Sequence, residues 1–210
     1  MAQSDPLIDP AAPLVVVDVD EVLAMFMRAF GRFVAEHGCE LRIDRFALYQ
    51  NIYLRGESEH LDLVEGRRLF DAFFALERHE IDVAPGAQAA LADLARKATI
   101  VILTNAPATS RGARARWLVE NNLPYGLVFG SGPKGAAVAA LAAQTKGPVA
   151  FVDDLLSNLD SAAVEAPAVY RFQTVADERL RGLAPAAPDR HPRIDNWTNL
   201  GAAIASRLDL

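Results

Sequence analysis

The chain has 210 residues, of which 51% are hydrophobic and 23% charged, with a formal net charge of −6 and a pI near 5.2. That length supports one well-buried core with an insertion; the acidic balance excludes the basic footprint of a nucleic-acid polymer or anionic-membrane binder, and no apolar run approaches the roughly 18 residues of a bilayer span. Cys39 is the only cysteine, which excludes an internal disulfide and suits a reducing compartment, so a cytoplasmic setting is expected.

Residues 1 to 13 are polar and proline-bearing and read as a loose leader, without the basic region and apolar run of a signal peptide. Leu14-Val15-Val16-Val17 reads as a buried strand that runs into two carboxylates, Asp18 and Asp20. On extended backbone, side chains two apart leave on the same side, so this pair can face one point beyond the strand end. Open α/β sheets bind ligands there. Two carboxylates so close repel, and they need a cation, a shared proton or both. Taken alone, the same residues also fit a strand followed by an acidic turn.

Phe26, Phe30 and Phe33 fall at helical spacing across Ala24 to Glu36, and Phe70, Phe73, Phe74 and Glu77 repeat the pattern. Residues 22–83 therefore read as a small, mostly helical unit in which most of the aromatic residues form its own core and the remainder face a ligand. From Pro85-Gly86 onward, helix and strand alternate. A helix is expected over Ala87 to Lys97, a strand over Thr99 to Leu103, a helix over Thr109 to Asn122, and a short strand over Leu127 to Phe129. An Ala-rich helix from about 136 to 144, a strand over Val149 to Val152, a helix over Ser157 to Glu165, a strand over Ala168 to Phe172 and a final helix near Leu200 to Leu208 complete the chain. The alternation predicts an α/β fold with a parallel sheet and helices on both faces.

Three of these strands end in polar residues: Asp18 and Asp20, then Thr104 and Asn105, then Asp153 and Asp154. The loop Gly130-Ser131-Gly132-Pro133 lacks the spacing of a P-loop and delivers Lys134. In a parallel sheet all these ends share one edge, so the groups can converge. An oxygen-only ligand set with no Cys or His cluster suits magnesium rather than zinc. One hydroxyl, exposed amides and one ammonium suit the non-bridging oxygens of a phosphoryl group. His37, His60, His79 and His191 are dispersed and read as structural, as do Trp117 and Trp197. Asn196-Trp197-Thr198 fits a glycosylation sequon that a cytoplasmic chain would not use.

The order Val-Val-Val-Asp18-Val-Asp20-Glu-Val, then Ile-Val-Ile-Leu-Thr104-Asn, then Lys134, then Phe-Val-Asp153-Asp154 resembles the four motifs of the haloacid dehalogenase-like (HAD) superfamily, over nearly the whole chain. The resemblance implies a Rossmann-like core formed by residues 1–21 and 84–210, with a helical cap at 22–83. It implies a phosphatase that works on a small soluble phosphomonoester through an aspartyl-phosphate: Asp18 as nucleophile, Asp20 as general acid and base, and Thr104 and the Asn105 amide on the phosphate oxygens. Lys134 would neutralise developing charge. Mg2+ would be held by the Asp18 carboxylate, the Asp20 carbonyl and Asp154, with Asp153 in direct contact or one step removed. The dehalogenases of the superfamily lack a counterpart of Asp20. A phosphate-sensing module without turnover and a phosphomutase are the alternatives.

Two departures stand next to the first motif: Glu21 occupies the place of the usual glycine and Val22 that of the usual threonine, which implies a stiffer loop into the cap. Asn158 stands near where many relatives carry another acid, either to orient the metal shell or to cap the following helix. A weaker resemblance, to deoxyribonucleotidases, rests on Asp18 to Phe26, Thr104 to Pro107, Arg116 to Val119 and Asp195 to Trp197. It implies that Phe26 packs on a nucleobase or other planar group; as a core residue of the cap it would do no such work.

Overall fold

The computed structural model describes residues 6–210. In chain order it contains β1 (Leu14–Val17), α1 (Phe26–Glu36), β2 (Cys39–Leu41), β3 (Ile52–Leu54), α2 (Leu63–Phe74), α3 (Ala87–Leu94), β4 (Thr99–Thr104), α4 (Arg111–Glu120) and β5 (Gly126–Phe129). Then come α5 (Gly135–Ala142), β6 (Val149–Asp153), α6 (Leu156–Glu165), β7 (Tyr170–Gln173), the single turn α7 (Glu178–Arg181) and α8 (Trp197–Leu208).

Five strands form one parallel sheet in the order β5-β4-β1-β6-β7. β1 lies at its centre because its four residues are apolar on both faces and fully buried. Side-chain alternation then sorts the core into two layers. Val15, Val17, Ile100, Ile102, Ala150 and Val152 point into one; Leu14, Val16, Val101, Leu103, Val149 and Phe151 point into the other. The first layer is covered by α3, α4 and α8, whose Leu91, Trp117 and Ile204 fill it. The second is covered by α5 and α6 through Val138, Leu141 and Leu159. Fully burying each such side chain contributes about 1.5–3 kcal/mol, so the sheet is held from both sides.

The segment between β1 and α3 packs onto the first layer. Its α1 and α2 meet through Phe26, Phe30, Phe33, Phe70, Phe73 and Phe74, with ring centroids 4.7 to 6.4 Å apart. The Asp62 carboxylate accepts from the Val64 and Glu65 amides and so fixes the start of α2. The segment is not wholly helical: β2 and β3 pair as an antiparallel hairpin, Cys39 opposite Leu54 and Leu41 opposite Ile52.

The expected loose leader is corrected for its described part. Residues 6 to 13 are tied to the core: the Lys146 amide donates to the Pro10 carbonyl at 3.0 Å, the Thr145 hydroxyl to the Ala12 carbonyl at 2.6 Å, and the Thr99 amide to the Pro13 carbonyl at 2.8 Å. Residues 1 to 5 lie outside the described residues. Among the described residues no helix is long and apolar enough to cross a membrane. Trp117 and Trp197 are buried packing residues, donating from Nε1 to the Ile81 and Val22 carbonyls. The sequon's Asn196 caps α8 by accepting from the Asn199 amide.

Candidate active site

Register brings the chemistry together. Val17, the last residue of β1, stands beside Ile102 of β4 and Val152 of β6, so the three strands end at one edge of the sheet within two residues of one another. Asp18 continues the alternation of Leu14 and Val16, and Asp153 that of Val149 and Phe151, towards the layer that α5 covers. Lys134 is the residue that opens α5. Its Nζ lies 2.6 Å from Asp18 Oδ1 and 2.8 Å from Asp153 Oδ2. Gly135, next to Lys134, lets α5 lie close against α6: a Cβ there would come within 2.4 Å of the Ser161 carbonyl.

Carboxylate oxygens of Asp18, Asp153 and Asp154 all lie within 4.8 Å of one another, and all three residues are buried. Burial pushes the Asp18 carboxyl up to about 7; Lys134 opposes the shift, and the Asp153 and Asp20 charges add to it. Asp154 is pushed well above the usual carboxylate range, by burial first and then by Asp153 and Asp18. Burial disfavours the Lys134 charge, but Asp153 and Asp18 outweigh it and hold the ammonium above the ordinary lysine range. Three carboxylates thus share one ammonium, and the deficit fits a hard divalent cation.

Hydrogen bonds sort the acids. Asp153 is already engaged on both oxygens: Oδ2 by Lys134, and Oδ1 by the Leu155 amide and Asn158 Nδ2, both at 2.9 Å. Asn158 therefore holds Asp153 and does not cap α6, whose first residue is preceded by Leu155 with no side-chain cap. Among the described residues no protein donor reaches the Asp154 carboxylate, which lines the cavity next to Asp18. Asp154, and the Asp18 oxygen that Lys134 does not take, are left without a protein partner among the described residues, whereas both Asp153 oxygens are engaged.

Asp20 lines the same cavity, and Arg114 of α4 donates from Nη2 to both its oxygens. Asn105 and Ala106 form the adjoining wall, where Asn105 Nδ2 donates to the Gly132 carbonyl at 2.7 Å and ties the loop before Lys134. Thr104 is fully buried behind this wall, its hydroxyl accepting from the Ala106 amide at 3.2 Å. Phe26 is 5% exposed and stacks on Phe30 and Phe74, while also lining the cavity. It is a core residue with one edge on the site.

Glu21 explains its own departure from glycine. Its φ is +59°, in the left-handed region that costs a side chain roughly 1–2 kcal/mol. Its carboxylate accepts from the Met27 amide at 2.7 Å and the Asp177 amide at 3.1 Å, which fastens the loop to both α1 and the segment before α7. Arg114 was not among the sequence candidates. Its signal lies in the helical stripe Arg114, Trp117, Leu118, in which a guanidinium occupies an otherwise apolar face.

No protein-family model matches the chain, and no curated protein matches it. Solved structures do. A HAD-superfamily hydrolase from Ehrlichia chaffeensis is 16% identical, with a TM-score of 0.56 over 98% of either chain. A haloacid dehalogenase-like hydrolase from Burkholderia xenovorans is also 16% identical, at a TM-score of 0.61 over 95% of this chain and 99% of the other. The HAD-hydrolase YfnB from Bacillus subtilis, in a magnesium-bound form, is 12% identical, at 0.63 over 92% and 99%. The protein has the HAD hydrolase fold, with its parallel sheet flanked by helices.

Proposed function

We propose that the protein is a magnesium-dependent phosphatase of small soluble phosphomonoesters in a reducing compartment, working through an aspartyl-phosphate. The observation that carries the reading is Asp18. It lies at the floor of the cavity, Lys134 sits 2.6 Å from one of its oxygens, and Asp154 is within 4.8 Å. The magnesium-bound form of YfnB, which shares the fold, is in keeping with this.

Asp18 and Asp154 would hold the cation, with the Asp20 carbonyl as the third protein oxygen that the superfamily resemblance supplies. When bound, magnesium offsets the repulsion between these carboxylates and the phosphate. Asp18 attacks phosphorus and the ester oxygen leaves, taking a proton from Asp20. Asp20 then takes a proton from the water that cleaves the aspartyl-phosphate. Lys134 neutralises charge on the phosphoryl oxygens, held in line by Asp153 and, through it, by Asn158. Residues 22–83 serve as the cap over the leaving group.

Release of phosphate from p-nitrophenyl phosphate, measured with and without magnesium, tests the reading. Asp18→Asn abolishes turnover, and Asp20→Asn slows it by about 10²–10⁴-fold. Turnover that survives in Asp18→Asn overturns the assignment. An acid–base residue held in place by a buried arginine favours turnover over mere phosphate sensing.

A further inference from the structure

The cavity lined by Asp18, Asp20, Asp154 and Lys134 has a volume of about 330 Å³ in all. Much of its wall comes from the segment between β1 and α3, which contributes Phe26, Met27, Phe46, Ala47, Leu48 and Phe70. Not one of these side chains carries a charge or a hydrogen-bonding oxygen or nitrogen. Leu155 and Leu180 add to the apolar lining.

Apart from Asp18, Asp20 and Asp154, the polar side chains on the wall are tied to the protein by at least one group, and among the described residues only Asn105 Oδ1 and Asn158 Oδ1 are left without a donor. The Glu21 oxygens accept from the Met27 and Asp177 amides, Asn105 Nδ2 donates to Gly132, and Asn158 Nδ2 donates to Asp153. Among the described residues the only cation on the wall is Lys134, which already stands between Asp18 and Asp153. A second phosphate or carboxylate on the substrate would find no counter-charge. Against the apolar wall, each hydroxyl of a sugar or polyol would lose its water without a protein partner, which costs about tenfold or more in affinity per group.

Resting on the phosphatase reading, we infer that the substrate is a phosphomonoester whose leaving group is uncharged and predominantly apolar, about the size of one ring with a short linker. Phe46, Leu48 and Phe70, all half-buried and turned to the cavity, are the residues that set this preference.

The test uses three phosphates that depart as primary alkoxides of similar basicity, so that rate differences read the pocket and not the chemistry. Methyl phosphate fills none of the apolar space, benzyl phosphate fills it with a ring, and glycerol 3-phosphate fills it with hydroxyls. The expected order of kcat/KM puts benzyl phosphate about tenfold or more above methyl phosphate, with glycerol 3-phosphate no better than methyl. Phe46→Ser with Leu48→Ser lowers the ratio of kcat/KM for benzyl phosphate over methyl phosphate from about tenfold or more to about one. Calorimetric binding of benzylphosphonate against methylphosphonate reads the same pocket without turnover. No hydrolysis of any of the three, with benzylphosphonate still bound more tightly, sinks the phosphatase reading and leaves the apolar pocket standing. Glycerol 3-phosphate equal to or better than benzyl phosphate, or equal binding of the two phosphonates, overturns the inference itself.

Discussion

Arg114 holds Asp20 through a single nitrogen: Nη2 lies 2.8 Å from Oδ1 and 2.9 Å from Oδ2. The arginine is fully buried, whereas the Asp20 side chain is 24% exposed. Its guanidinium carbon lies 5.4 Å from the Phe74 ring and 5.8 Å from the Trp117 ring, so aromatic faces cover what the carboxylate does not. The pair links α4 to the loop after β1. An acid that must meet a leaving oxygen gains from being held in one orientation.

Removing that hold leaves Asp20 free to turn towards water. Arg114→Met is expected to lower kcat by about tenfold to a hundredfold while KM for a small phosphate changes little. Arg114→Lys, with a donor at the same charge, recovers part of the loss. Steady-state kinetics of the two variants, with circular dichroism to confirm folding, check this. A kcat unchanged in Arg114→Met would show that Asp20 needs no such support.

The stripe of Arg114 with Trp117 and Leu118 marks the arginine as facing inward, but its partner Asp20 lies 94 residues away and nothing in that stripe names it. The strands were legible for the opposite reason: Val15 to Val17, Ile100 to Leu103 and Val149 to Val152 are continuous apolar runs, and their carboxylate or hydroxyl endings mark the sheet edge without any tertiary knowledge. The hairpin of Cys39–Leu41 with Ile52–Leu54 offers only three residues a strand, too few to show a period. Anchoring of residues 6 to 13 runs through backbone carbonyls, which no side chain announces. The roles of Asp153 and Asn158 rest on hydrogen bonds to each other, to Leu155 and to Lys134, and no pattern in the sequence displays these.

Cation binding is expected to show in stability as well as in rate. A ligand that binds only the folded chain stabilises it by about 2.7 kcal/mol at a hundredfold excess over Kd. Magnesium therefore raises the thermal midpoint, and Asp154→Asn removes the gain. Asp18 adds a pH dependence. Its folded value, about 7, lies above its unfolded value near 3.8, so its contribution to stability is complete below 3.8 and is lost as pH rises through 7. Below 7 a proton competes with the cation; above 7 it does not. The magnesium-dependent rise in midpoint is larger at pH 8 than at pH 6, and an equal rise at both values, or one retained in Asp154→Asn, counts against the site.

His79 gives the opposite sign on the acid side. It is buried against Phe73, with ring centroids 5.3 Å apart and planes 4° from parallel, and close to Arg114. Burial, and then the Arg114 charge, push the imidazole down to about 4 from 6.5. The folded chain thus favours neutral His79, and the stability this supplies is present above pH 6.5 and is lost as pH falls through 4. His79→Leu keeps an apolar side chain against Phe73 and removes the titration. Thermal midpoints taken from pH 7 to pH 4 are expected to fall more steeply for the wild-type chain than for His79→Leu, with a constant offset between the two at neutral pH and above. Parallel curves across that range would mean that His79 takes up its proton as readily in the folded chain as in the unfolded one, and that its stacking against Phe73 does not keep water out.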